Sequence, residues 1–278
     1  MKTKYNSLGL ATLACTLITA SQLHAANVLL LSDNFNNATD NTDLNVNLAA
    51  RQAGTLEATG GAAPAGSTWT ELTGNSTISS NQLSVAVSGY VRNNADLEPS
   101  LTTVDLVGVS GFIMDFKMDY TGIAGAWTSP YLTTHTGDER GNSRFGMVAF
   151  GTGDIQFYGG ALGGSQVTTS VSNAILTSLV SGWNITNQNS YSFNATRTTA
   201  TSGVYDVFIN GIEVASNIAY AFGTGGDISD NGGDVNFEII NVTSGAGLYD
   251  DFSITTIPEP SAALLGGLGL LALLRRRR

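Results

Sequence analysis

From Gly111 to Tyr120 the chain reads GFIMDFKMDY, and its side chains alternate without a break. Phe112, Met114, Phe116, Met118 and Tyr120 fall in one phase; Ile113, Asp115, Lys117 and Asp119 fall in the other. Period two predicts a strand with one apolar face and one mostly charged face. A second signal is VYDVFINGIEVAS, Val204 to Ser216, where two apolar runs meet at Asn210-Gly211. Asn-Gly supplies the positive φ values of a type I′ turn, so this stretch predicts a hairpin. Shorter strands are expected at Val28–Leu31, Thr68–Leu72, Gln82–Val87, Arg144–Phe150, Ile155–Tyr158, Tyr191–Thr196, Val235–Ile240 and Leu248–Thr255. Strands with one polar face, joined by Gly-, Asn- and Thr-rich turns, predict two packed antiparallel sheets. The expected fold class is all-β, an antiparallel β-sandwich over residues 27–256.

The two ends of the chain break this pattern. Lys2 and Lys4 precede the apolar run Leu8–Thr19, and a small-residue exit, Leu23-His24-Ala25-Ala26, follows. That order marks an export signal over residues 1–26, a helix removed with its lone cysteine, Cys15. At the other end Ser261–Leu274 is uncharged and Arg275, Arg276, Arg277 and Arg278 close the chain. Fourteen residues make a helix about 21 Å long, short for a hydrocarbon core of roughly 30 Å. Flanking arginines that snorkel allow it to act as a weak transmembrane stop, with the cluster held on the inside.

Charge and cysteine content narrow the function classes. Between the two end segments the body has six lysines and arginines against 21 acids, a net charge of −15. Such a surface repels phosphates, and nucleic acid is excluded as a partner. With no cysteine after residue 26 and one histidine, His135, thiol catalysis and His/Cys metal centres are excluded as well.

Pro258-Glu259-Pro260, the short apolar helix and the terminal arginines resemble the PEP-CTERM sorting signal of Gram-negative bacteria, over residues 257–278. The resemblance implies an exosortase as processing partner. It also implies transient anchoring in the inner membrane, then delivery to the cell surface or the extracellular space. The body resembles a second family. An early Asp33-Asn34-Phe35, the central amphipathic strand, RFGMVAF (Arg144–Phe150), the Asn-Gly hairpin and a closing LYDDFSI (Leu248–Ile254) are similar to concanavalin A-like, laminin-G-like jelly rolls. That family includes glycoside hydrolases, lyases and lectins, and a fold alone does not choose among them.

Candidate chemistry is sparse. Asp115 and Asp119 share a face but lie roughly 13 Å apart along a strand, too far for a retaining pair, which needs about 5 to 5.5 Å. They are expected to form a solvated face with Lys117 between them, or a face that touches glycan. His135 sits in TTHTGDERGNSRFG with no recognisable catalytic motif. Trp127, in the Gly-rich stretch TGIAGAWTSPY, is the candidate glycan contact, whereas Trp69 lies in an alternating strand and is expected in the core. No cofactor is implied apart from a structural calcium ion, for which Asp33 and Asp251 are candidate ligands if the first and last strands are neighbours. The function expected is non-catalytic, structural or adhesive, within exopolysaccharide. The alternative is a carbohydrate-binding, lectin-like module, and a polysaccharide-cleaving enzyme ranks third.

Overall fold

The alternation at Gly111–Tyr120 becomes a strand running from Val109 to Tyr120 in a computed structural model of the chain. The structure describes residues 27–258 apart from 38, 42, 55–66, 96, 98–108, 136–142, 162–164, 200–201 and 222–233. Its first elements are β1 (Val28–Asp33), α1 (Leu48–Arg51), β2 (Gln52–Ala53), β3 (Trp69–Thr73), β4 (Thr77–Ser79), β5 (Gln82–Val85) and β6 (Tyr90–Asn93). Then come β7 (Val109–Tyr120), β8 (Trp127–His135), β9 (Ser143–Phe150), β10 (Ile155–Ala161), β11 (Ser165–Val171) and α2 (Asn173–Leu179). β12 (Asn189–Arg197), β13 (Ser202–Ile209), β14 (Ile212–Ala221), β15 (Asp234–Val242) and β16 (Gly247–Pro258) complete the described chain.

These strands form two antiparallel sheets. Sheet I runs β2-β1-β16-β7-β12-β13-β14, with β5 and β4 extending it beside the first half of β16. Sheet II runs β3-β6-β15-β8-β9-β10-β11. Among the described residues one bridge, Gly160 to Ala221, joins them along one edge. The chain crosses from sheet II to sheet I between β6 and β7, and again between β15 and β16. Because β6 pairs antiparallel with β15 and β7 with β16, the two crossings leave opposite ends of these pairs and enclose the core between them. This is the jelly-roll sandwich expected from the sequence.

Between the sheets lies an aromatic core. The apolar phase of β7 is buried there, with Phe112, Met114, Phe116, Met118 and Tyr120 all at 2% exposure or less. Phe237 of β15 stacks on Phe252 of β16 at 3.8 Å between ring centroids, and Phe112 meets Phe145 of β9 at 5.2 Å, so both contacts cross the sandwich. Burial on this scale is the main favourable term in the fold.

Two local devices set the geometry of sheet I. At the β13–β14 turn, Asn210 and Gly211 have φ values of 51° and 78°, both positive as the Asn-Gly pattern requires. In β16, Asp251 takes φ 48° and the pairing with β7 slips between Asp250 and Ser253. This bulge lets Tyr249 and Phe252, three residues apart, both face the core, and it turns Asp251 outward.

The sequence missed several elements. β8, central in sheet II, was not expected as a strand, nor were β6, β11 and the two short helices. β16 also runs two residues past the expected boundary at 256, and Pro258 pairs in register with Val109. The export segment 1–26 and residues 259–278, with Glu259, Pro260 and the four arginines, lie outside the described residues. Among the described residues no helix is long and apolar enough to cross a membrane.

Candidate functional site

The polar phase of β7 lies on the outer face of sheet I, where neighbouring strands shape it into a cavity of about 330 Å³. Asp115 and Lys117 contribute from β7, Ser190 and Ser192 from β12, Phe208 from β13, Gly211 from the hairpin turn and Asp251 from the bulge. Phe116 and Tyr191 line it as well, although their side chains turn into the core and stack at 5.2 Å. The turn is fixed to the wall, because Asn210 Oδ1 accepts from the Ser190 N–H at 2.9 Å and from its hydroxyl at 3.3 Å.

Phe208 is the unusual member. Tyr205, Val207 and Ile209 of β13 face the core, so Phe208 is out of phase with them and half-buried among polar groups. Facing the same cavity, Lys117 Nζ lies 2.5 Å from Asp251 Oδ2, with both side chains over 40% exposed. This contact raises the lysine pKa. It also corrects the expected cross-charge within β7, since the lysine serves Asp251 on the next strand.

Burial raises the pKa of Asp115, and the Ser192 hydroxyl only partly offsets this. That hydroxyl also has Asn194 Oδ1 at 3.0 Å, and its one hydrogen serves a single acceptor at a time. Asp119 is raised by burial too, offset in part by Gln82 Nε2 at 3.4 Å. Asp250 is raised by burial and then by the charge of Asp251. The two aspartates expected on a solvated face are therefore half-buried, and one of them borders a cavity.

Asp33 and Asp251 do not form a calcium site. The first and last strands are neighbours, and Asp33 pairs in register with Phe252. The two carboxylates nevertheless diverge, Asp33 into the core and Asp251 into the cavity. Asp33 is fully buried and its two oxygens accept five hydrogen bonds. The donors are Phe35 N (2.9 Å), Arg51 Nε (3.1 Å), Arg51 Nη2 (3.0 Å), Gln52 Nε2 (3.0 Å) and Trp69 Nε1 (2.9 Å). A carboxylate bound by an arginine fork and three further donors has no lone pair left for a cation. Among the described residues no group of three or more histidines, cysteines and acids is gathered as a metal would require.

Trp127 is not in the cavity. It opens β8 on the outer face of sheet II, half-buried beside an apolar cluster of Tyr90, Tyr131 and Ile240. Trp69 is core, as expected, and its indole N–H is one of the donors to Asp33. His135 ends β8, in register with Asp234.

The same face of sheet II holds a charged network with no sequence motif. Glu238 of β15 accepts from Tyr90 Oη at 2.5 Å and from Arg92 Nε at 2.7 Å, with Tyr131 as a further partner. Burial raises the Glu238 pKa, and these donors pull against it. Glu238 and Tyr131 are fully buried and the Arg92 side chain is 12% exposed. The groups are spent on one another, clamping β6 and β8 to β15.

The chain matches no protein-family model and none of the curated proteins. Among solved structures it is similar to the carbohydrate-binding module CBM66 from Bacillus subtilis (7% identity, 67% of this chain, 94% of that one, TM-score 0.42). It is also similar to the alginate lyase Aly36B (12% identity, 84% and 99%, TM-score 0.45). A third likeness is the potassium-bound carbohydrate recognition domain of Emp46p (7% identity, 67% and 87%, TM-score 0.45).

Proposed function

We propose that the domain is a non-catalytic carbohydrate-binding module and that the cavity on sheet I is its binding site. The observation that carries this reading is Phe208, an aromatic side chain set out of phase on a polar strand face, beside hydroxyls and a carboxylate. A pyranose ring offers an apolar C–H face to such a ring and hydroxyls to such polar groups. The carboxylates argue for binding over cleavage: Asp115 and Asp119 are four residues apart on one strand, and Asp251 is held by Lys117. The module reading thus takes precedence over a purely structural role. The test is titration of the full chain against a panel of soluble glycans. Saturable binding is expected, weakened at least tenfold by Phe208→Ala at unchanged Tm; no binding to any glycan would leave the structural role instead.

The proposed setting is outside the cell. The export segment and the PEP-CTERM-like tail support sorting by an exosortase and release or transfer at the surface. Pro258 is the last residue of β16, so cleavage beyond it would spare every described strand. Mass spectrometry of the exported protein is expected to show the tail removed; an intact tail would contradict this part of the proposal.

A further inference from the structure

The cavity on sheet I is lined by one cation, Lys117, and two anions, Asp115 and Asp251, and its cation is already engaged. Lys117 is bound to Asp251 at 2.5 Å. Asp115 has the Ser192 hydroxyl, which it shares with Asn194, and among the described residues no lysine or arginine lies within ion-pair distance of it. The neighbouring positions on this face add to the imbalance. Asp119 lies on the same strand and Asp250 on β16, Asp206 precedes Phe208 on β13, and Glu213 stands opposite Phe208 across the hairpin. The net charge of −15 over the body has the same sign.

Resting on the binding-module reading, we infer that the cavity selects amino sugars with a free ammonium group, Asp115 taking the ammonium while Phe208 takes the ring face. A glucosamine unit supplies both complements: a C–H face for the aromatic wall and a cation for the half-buried carboxylate. A cation beside an aromatic ring gains further from the ring's negative face. A neutral hexose has only hydroxyls to offer Asp115. An N-acetylated unit replaces the ammonium with a neutral amide, and a uronic acid places like charge against Asp115. Charge opposition of this kind is how a site rejects the wrong partner.

The experiment is calorimetric titration of the full chain at pH 6 with four tetrasaccharides: glucosamine, N-acetylglucosamine, cellotetraose and mannuronate. Glucosamine is expected to bind at least tenfold tighter than the two neutral ligands, with no detectable binding of mannuronate. Asp115→Asn should bring glucosamine down to the neutral level, and Phe208→Ala should weaken every ligand that binds. Lys117→Gln, which frees Asp251, should strengthen glucosamine binding several-fold, a gain that damaged folding cannot produce. Equal affinity for glucosamine and cellotetraose overturns the amino-sugar inference and leaves the binding module standing. A glucosamine preference unchanged in Asp115→Asn also overturns it, since the attraction would then belong to the acidic surface at large. Binding of none of the four overturns this inference, and failure across the wider glycan panel overturns the module as well.

Discussion

Asp33 shows how much one residue can hold. Its carboxylate receives five donors from four residues, and the arginine among them continues to the carbonyls of Val46 and Leu44 at 2.9 Å each. The segment from Leu44 to Gln52 is thereby tied to β1, and through Trp69 to the opposite sheet. Removing one partner of a buried ion pair leaves an uncompensated charge, at a cost of about 3–5 kcal/mol. Asp33→Ala is therefore expected to lower stability by several kcal/mol in chemical denaturation. Lys117→Gln, which breaks an exposed pair, should cost about 1 kcal/mol or less. Equal losses from the two would contradict the cage. In the sequence Asp33 read as a calcium ligand, because a cluster of aspartates shows its oxygens and hides its donors. Arg51 and Trp69 lie 18 and 36 residues away, and no local pattern connects them to it.

At the scale of the element, alternation was legible where a strand has one wet face. β7 and the β13–β14 hairpin were placed from their patterns because each alternates cleanly and the Asn-Gly turn has a unique conformational demand. β8 was not. WTSPYLTTH carries a proline, which normally argues against a central strand, and its polar residues are buried on both faces, Thr128 on one and Ser129 and Thr133 on the other. The structure accommodates Pro130 through Ser129, whose hydroxyl donates to the Met147 carbonyl at 2.6 Å beside the missing N–H. The cavity was half legible. Asp115 and Lys117 stood out on the polar face of β7, and Phe208 could have been found as an aromatic in the wrong phase of its strand. Ser190, Ser192 and the bulged Asp251 come from strands whose registry only the fold supplies.

For the whole molecule the consequence is electrostatic. Asp115, Asp119 and Asp250 all have pKa values raised mainly by burial, and burial raises Glu238 likewise. Lys117, Asp251, Asp206 and Glu213 surround the first three on the outer face of sheet I. A carboxyl whose folded pKa exceeds its unfolded value keeps its proton longer in the native state. Its stabilising contribution is complete below the ordinary carboxylate pKa and is lost as pH rises through the raised value. Relief of self-repulsion among the surplus acids has the same sign. Tm is therefore expected to be higher near pH 5 than at pH 8, with a smaller difference in Asp115→Asn. A Tm that rises steadily with pH would contradict this.

The central claim is that ligand binds on sheet I at Phe208 and Asp115. The most direct test is to map amide chemical-shift changes in the isotopically labelled full chain during titration with the glucosamine tetrasaccharide. The predicted result is saturating shifts at Asp115–Lys117, Ser190–Ser192, Phe208, Gly211 and Asp251, with Tyr131 and Glu238 unmoved. Shifts centred on β8 and β15 would place the site on the opposite sheet and contradict the claim.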